Sequence, residues 1–225
     1  MQYRFVLHFI AAAGVLACAS ASMAQDKVVF ATNWKAQAGH GGFYQALADG
    51  TYKRMGLDVE IQQGGPQVNN RPQLPTGRID FLMAGNLLLS FDNVKNGVPT
   101  VVVAAIFQKD PQAIFAHPGQ GYDKFSDLTK ASPAFISKDG QFSFWQWMKA
   151  EHGFKDEHLL ADNGFSTYST TIETRADLVR DKPALVQKFV DASLIGWYNY
   201  LYGDNKAANE MIKKANPEST DANIA

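Results

Sequence analysis

The stretch HGGFYQALADGTYKRMGLDVEI, residues 40–61, decides the fold. It starts with a histidine beside two glycines and continues as a helical segment with a break at Asp49-Gly50. It ends in LDVEI (57–61), where apolar and polar residues alternate as in a half-buried strand. Just upstream, KVVFAT (27–32) is a short β-branched run. Strand, helix and strand in so short a span form a βαβ unit, which predicts a mostly parallel sheet covered by helices.

Working outward, the same alternation continues. RIDFLMA (78–84) is an apolar run, and the helical NLLLSFDNVKNG (86–97) follows, closed by Gly97. TVVVAAIF (100–107) and AIFAH (113–117) flank a turn-like Gln108-Lys109-Asp110-Pro111, as a chain does on leaving one unit for another. Between the second and third strands, Pro72 and Pro75 interrupt any helix in QVNNRPQLPTG (67–77).

A second unit begins near Phe125. SPAFIS (132–137) reads as a strand, QFSFWQWMKAEHG (141–153) as a helix ended by Gly153, and FSTYSTTIET (165–174) as β-rich. Asp181 is positioned to cap a long helix with Pro183 in its first turn. Val186, Val190, Leu194, Trp197 and Leu201 step by three and four, which predicts their burial on one face. Trp197, Tyr198, Tyr200 and Tyr202 at that spacing read mostly as packing rather than as an aromatic binding box.

The N-terminus has the order of a secretory leader: Arg4, the apolar run FVLHFIAAAGVLACASA (5–21), then the small-residue site Ser22-Met23-Ala24. Cleavage after Ala24 and a periplasmic or otherwise extracytoplasmic location are expected. The apolar run is too short to span a bilayer. Cys18 is the only cysteine and lies within the leader. Val15-Leu16-Ala17-Cys18 leaves a second reading, a lipoprotein acylated at Cys18, which Leu16 fits poorly. A mature chain without cysteine holds no disulfide, thiolate metal site or cysteine nucleophile.

The 225 residues carry a formal net charge of −1, with 46% hydrophobic and 19% charged residues. Such a composition builds a folded core, and without a basic block it excludes nucleic acid as the partner. No HExxH, P-loop or GxSxG motif is present. No metal, cofactor or catalytic residue is expected.

The functional signal lies in where glycines and polar residues fall. In open α/β sheets, ligands sit beyond the carboxyl ends of the strands, near helix N-termini. Here the first strand is followed by Trp34 and by His40-Gly41-Gly42, the second by Gly64-Gly65, the third by Asn86, and the second unit's strand by Lys138-Asp139-Gly140. All four loops are expected to meet at one cleft that takes a small molecule. Trp34 offers a stacking face, or else a wall of the core. His40 can donate or accept a hydrogen bond near neutral pH, and the glycines after it let a ligand approach the backbone. Asn86 reads equally well as a plain helix cap.

Trp34, His40-Gly41-Gly42-Phe43-Tyr44-Gln45-Ala46, Tyr52-Lys53-Arg54-Met55-Gly56-Leu57-Asp58-Val59, Gly64-Gly65-Pro66 and Gly77-Arg78-Ile79-Asp80-Phe81 carry a resemblance. The chain resembles the periplasmic substrate-binding proteins of ABC transporters, in the branch with nitrate, sulfonate and taurine binders and thiamine-pyrimidine precursor binders. The resemblance implies an α/β type II periplasmic-binding-protein fold, two lobes with a ligand cleft between them. It implies a monomer that binds a small molecule and delivers it to a permease in the inner membrane, without chemistry. It divides the chain into a leader (1–24), lobe 1 (25–109), lobe 2 (110–175) and a C-terminal helical segment returning towards lobe 1 (176–225).

Carried over, Trp34 would stack on a heteroaromatic ring, and His40, Gly41 and Tyr44 would hold it with Gly64, Gly65 and Asn86 of the same lobe. Lys138, Asp139 and Gly140 would close from the other lobe. The aromatic His-Gly-Gly motif favours a pyrimidine-like thiamine precursor. Alkanesulfonate, taurine or nitrate uptake, an extracytoplasmic ligand sensor, and a pyrimidine synthase-like enzyme are the alternatives. The chain departs from the family in length: only about a dozen residues lie between the helix ending near Gly153 and the strand near Tyr168, and the sequence stops early at Ile224-Ala225. The second lobe is therefore expected to be incomplete, leaving sheet edges and apolar surface exposed.

Overall fold

The computed structural model describes residues 24–66, 68–109, 117–130, 145–155 and 169–224. Strands β1 (Asp26–Ala31), β2 (Leu57–Gln62), β3 (Phe81–Asn86), β4 (Thr100–Phe107) and β5 (Ser169–Arg175) form one sheet in the order β2-β1-β3-β5-β4. β1 pairs in parallel with β2 and with β3, while β5 runs antiparallel to both β3 and β4. Four strands thus share one direction, as the βαβ pattern requires.

β5 corrects the sequence reading. The segment was expected in the second lobe, whereas it inserts between β3 and β4 of the first-lobe sheet, with Ala84 opposite Thr171 and Ala105 opposite the same residue. The geometric reason is direct. The chain leaves the sheet at the carboxyl end of β4 and comes back beside it, Phe107 opposite Ser169, so the returning strand must run down the sheet. Hydrophobic pattern alone does not encode that direction.

The break at Asp49-Gly50 divides the first helical segment into α1 (Gly41–Ala48) and α2 (Thr51–Arg54), with Gly50 at φ 75°. Asp49 accepts from the Thr51 amide at 2.9 Å and from its hydroxyl, which restarts the helix. Helix α3 (Leu88–Lys95) follows β3. Helix α4 (Trp145–His152) joins Leu128 and Phe154 in a small apolar cluster of its own, with Trp145 and Met148 buried. The strands expected at 113–117 and 132–137, and the leader, lie outside the described residues.

The C-terminal part is helical: α5 (Ala176–Asp181), α6 (Pro183–Tyr202), α7 (Lys206–Ala215) and α8 (Asp221–Ile224). Pro183 sits in the first turn of α6 as expected, but Asp181 is the last residue of α5 and its carboxylate pairs with Arg180 instead of capping α6. α6 crosses the sheet and buries Phe189, which stacks on Phe81 of β3 at 4.0 Å and on Tyr52 of α2 at 5.6 Å and tilts against Phe30 of β1 at 5.3 Å. The Tyr52 hydroxyl shares a 2.9 Å hydrogen bond with Ser193 one turn further along α6.

The buried face of α6 is offset from the expected stripe. Leu185, Val186, Phe189, Ala192, Ser193, Gly196 and Tyr200 are buried, whereas Leu194 and Leu201 are 52% and 63% exposed. The roll follows from contact with α1. A Cβ on Gly196 would lie 2.2 Å from the carbonyl oxygen of Gly42, so the two backbones touch and only small residues fit between them. Periodicity locates large apolar residues; here the small ones set the rotation.

Truncating Phe189 to alanine should lower the unfolding free energy by about 3–5 kcal/mol, because three rings lose their common partner. Gly196→Ala should cost about 1–3 kcal/mol despite alanine's better helix propensity, through overpacking. Urea unfolding followed by circular dichroism measures both.

Candidate functional site

The carboxyl edge of the sheet is built by loops tied to one another. The loop after β1 and the loop after β2 are laced by hydrogen bonds: the Gly64 amide donates to the Trp34 carbonyl at 3.1 Å, and Thr32 Oγ1 donates to the same carbonyl at 2.7 Å. Asn70 Nδ2 reaches the Thr32 carbonyl at 3.0 Å, and the Ala36 amide donates to Gln63 Oε1 at 3.0 Å. Gly64 is required here, since its Cβ would fall 2.6 Å from the backbone of Thr32 and Asn33. Its role is to let two loops touch, and Gly65 beside it pairs with Val68 in an isolated bridge.

The His-Gly-Gly motif also has a packing role. A Cβ on Gly41 would meet the Tyr200 ring at 2.1 Å, and one on Gly42 the Trp197 ring at 2.1 Å. The space that sequence reasoning reserved for a ligand beside these glycines is filled by two aromatic side chains of α6. Tyr44 joins Ala36, Tyr200, Ala208 and Ile212 in a buried cluster, and burial raises its hydroxyl to a pKa of about 12. It therefore serves the junction of α1, α6 and α7. Trp34 is half-buried, and its ring has no ring partner among the described residues.

His40 ends a 3-10 turn (Ala38–His40) and precedes α1. In place of the cleft-lining position that the sequence suggests, it is 1% exposed. Burial lowers its pKa to about 4, so the imidazole is neutral across the physiological range, and its Nδ1 has no hydrogen-bond partner among the described residues. Asn86 is fully buried at the end of β3 and divides its amide: Oδ1 accepts from the Leu88 amide at 3.0 Å at the start of α3, while Nδ2 is unpartnered. The helix-cap reading therefore accounts for Oδ1 and leaves Nδ2 without a partner among the described residues. Lys138, Asp139 and Gly140 lie outside the described residues.

Buried side-chain polar atoms without a hydrogen-bond partner among the described residues are His40 Nδ1, Asn86 Nδ2, Asn33 Oδ1, Thr170 Oγ1, Thr171 Oγ1, Trp197 Nε1 and Gln45 Oε1. Strand register relates some of them: Asn86 lies opposite Ser169, which precedes Thr170 and lies opposite Phe107, while Thr171 lies further in, opposite Ala84 and Ala105. Phe107 packs edge-on to Trp197 at 6.2 Å, and Trp197 covers Gly42 next to His40. Thr170 has φ 49°, the one positive φ of a non-glycine among the described residues, an unfavourable conformation for a β-branched side chain.

Thr170, Thr171 and Trp197 are not among the residues that the sequence nominates for the site, and Asn33 stands in the loop after β1 without being nominated itself. Trp197 was assigned to packing, which it does through Phe43 and Tyr200, but its indole N–H is left over. Thr170 and Thr171 became visible only with the reversal of β5. Asn33 alone carried a signal, directly before Trp34 after a parallel strand.

Comparison with solved structures places the fold. A Bordetella bronchiseptica protein matches with a TM-score of 0.51 at 15% identity, covering 87% of this chain and 77% of that one. A Candida albicans gene product described as having the generic periplasmic binding protein fold matches at 14% identity and TM-score 0.49, over 84% of this chain and 76% of that one. A periplasmic substrate-binding protein of an ABC transporter from Coxiella burnetii matches at 15% identity and TM-score 0.46, over 85% and 98%. No curated protein matches. The chain shares its α/β fold with the Bordetella bronchiseptica protein. The family profile described as NMT1/THI5 like matches residues 37–159, more than half of the sequence, and the chain belongs to that family.

The depressed pKa of His40 makes a stability prediction. The unfolded chain protonates this histidine near its ordinary pKa of 6.5 and the folded chain only near 4, so the unfolded state holds more protons between these values. Stability is therefore full above pH 6.5 and is lost as pH falls towards 4, by about 3 kcal/mol. Glu173, whose carboxyl burial raises, acts in the opposite sense. The difference between wild type and His40→Asn in urea unfolding across this range isolates the histidine, and the variant should lack that part of the slope.

Proposed function

We propose that this chain is an extracytoplasmic solute-binding protein that captures a small uncharged heteroaromatic molecule, pyrimidine-like in its hydrogen bonding, and delivers it to the permease of an ABC importer in the inner membrane. The reading rests on one observation above all: the buried groups left unpartnered among the described residues are all neutral at pH 7. They include donors (Asn86 Nδ2, Trp197 Nε1), an acceptor (Asn33 Oδ1) and groups that do either (His40 Nδ1 and the two threonine hydroxyls). A pyrimidine ring with amino and ring-nitrogen groups offers the complement.

A sulfonate or nitrate binder needs positive charge or many donors converging on oxygen. His40 is held neutral here, and Lys35, next to Trp34, is committed to Glu218 at 2.6 Å. Uncharged ligands are therefore favoured over taurine, alkanesulfonates and nitrate. Trp34 supplies the stacking face from the loop after β1, with its ring half-exposed. The names of the similar proteins from Coxiella burnetii and Candida albicans agree with a binding role, and the leader at 1–24 agrees with export.

The cycle follows from the strand ends. Phe107 and Ser169, where the chain leaves and rejoins the sheet, are paired neighbours, which supports a hinge at these two strand ends. Lys138, Asp139 and Gly140 are proposed to close from that lobe. Ligand contacts from both lobes favour the closed form by no more than the difference in affinity between closed and open forms.

A thermal-shift screen tests the ligand class. Aminopyrimidines should raise the melting temperature through mass action, while taurine, alkanesulfonates and nitrate should leave it unchanged. Asn86→Asp keeps the acceptor that caps α3 and removes the donor, so it should weaken pyrimidine binding by about 1–3 kcal/mol in calorimetry. Stabilisation by sulfonates alone would reject the uncharged-ligand reading.

A further inference from the structure

The other face of the sheet carries a second feature that the proposed function does not use. Pro72 and Pro75 stop the segment after β2 from forming more than a 3-10 turn (Arg71–Gln73). Where a longer helix would cover the sheet, there is a cavity of about 360 Å³ between this segment, α3 and the start of β4. At about 30 Å³ per water-sized unit it has room for roughly a dozen non-hydrogen atoms. Its walls include Pro72, Leu82 and Val98, and Glu173 of β5 lines it.

Glu173 is 1% exposed, so this is a carboxylate buried in the sheet. Ser90 Oγ donates to Oε1, and Asn93 Nδ2 donates to Oε2 at 3.3 Å. Two donors leave about half the lone-pair capacity of an ionised carboxylate unused. Arg71, at the cavity wall, stabilises the charge at a distance, but its guanidinium is turned to α3, where Nη2 donates to the Leu89 carbonyl at 3.0 Å and to Asn93 Oδ1 at 2.7 Å. No ion pair joins it to Glu173 among the described residues. Asp92, also at the wall, adds a second negative charge against that single arginine. Burial raises the Glu173 pKa, against the lowering effects of the Ser90 hydrogen bond and the Arg71 charge.

We infer that this cavity is a second binding site, for a small organic ammonium: a primary amine on a short apolar stem, its ammonium donating to Glu173 and its stem lying against Leu82, Val98 and Pro72. The cationic head supplies the donors that the buried carboxylate lacks and balances the excess negative charge of the lining. The apolar walls match a stem of a few methylenes. This site stands independently of the ligand proposed for the carboxyl edge, since it shares no residue with that edge.

The test compares three probes with one stem on the full chain at pH 7, by calorimetry and amide-shift mapping: n-butylammonium, butyrate and n-butanol. Butylammonium should bind and shift the amides of Asn93, Val98 and Thr100. Butyrate and butanol should bind at least about tenfold more weakly. Glu173→Gln, similar in shape and without charge, should weaken butylammonium by at least about tenfold. Val98→Phe fills the cavity without touching a charge and should abolish binding, so it decides the matter should the Glu173 variant fail to fold. No binding of butylammonium at millimolar concentration, equal binding of all three probes, or binding unaffected by Val98→Phe overturns the inference.

Discussion

The docking of α6 on the sheet is the constraint on which the rest depends. A helix from the C-terminal part of the sequence lays one phenylalanine, Phe189, against rings from β1, β3 and α2, and touches α1 backbone to backbone at Gly42 and Gly196. The contact closes the apolar face of the first-lobe sheet with residues far away in the chain. It also brings Trp197 to the carboxyl edge, so packing and the candidate site are set by the same helix. Close approach and ring stacking are complementary: the glycines let the helices come near, and the resulting distance lets Phe189 reach the sheet.

Much of the first lobe was legible because its determinants are local. Alternation in LDVEI, the β-branched KVVFAT and the Asp49-Gly50 break fall within windows of a few residues, and β1, α1, α2 and β2 lie where they indicate. The rotation of α6 was not legible, because Ala192, Ser193 and Gly196 are inconspicuous in a hydrophobic pattern and matter only once α1 is opposite them. The direction of β5 was not legible either, since it depends on where the chain comes back and not on what the strand is made of. Leu194, Tyr198, Leu201 and Tyr202 are left on the outer face of α6 as a consequence of the roll.

The candidate site was legible as a set of loops rather than as a set of contacts. Trp34, His40 and Asn86 lie after the carboxyl ends of strands β1 and β3 or at them, where ligands sit in open α/β sheets. Gly41, Gly42 and Gly64 were read as ligand-facing because glycine is the residue of close approach. The approach they permit is that of Tyr200, Trp197 and the neighbouring loop. One sequence feature, a glycine where a backbone must be neared, has two physical meanings, and only the identity of the neighbour separates them.

The distribution of unsatisfied polar atoms carries the argument further than any single side chain. A buried polar group without a partner costs about 1–3 kcal/mol, against a typical total stability of about 5–15 kcal/mol for a whole domain. A fold with several such groups scattered through its core would be selected against at each position separately. Here Asn86 Nδ2 and Thr170 Oγ1 lie at neighbouring ends of β3 and β5, and Trp197 packs on Phe107 at the adjoining end of β4, elements far apart in sequence. Under the proposed function, a shared partner molecule would satisfy these groups together. Thr170 adds backbone strain beside Ser169, where the chain rejoins the sheet, so this end of β5 has both an unsatisfied hydroxyl and an unfavourable φ. Burial keeps His40 neutral, so under the proposed function the chemistry of the ligand is tied to the depth at which the imidazole is held.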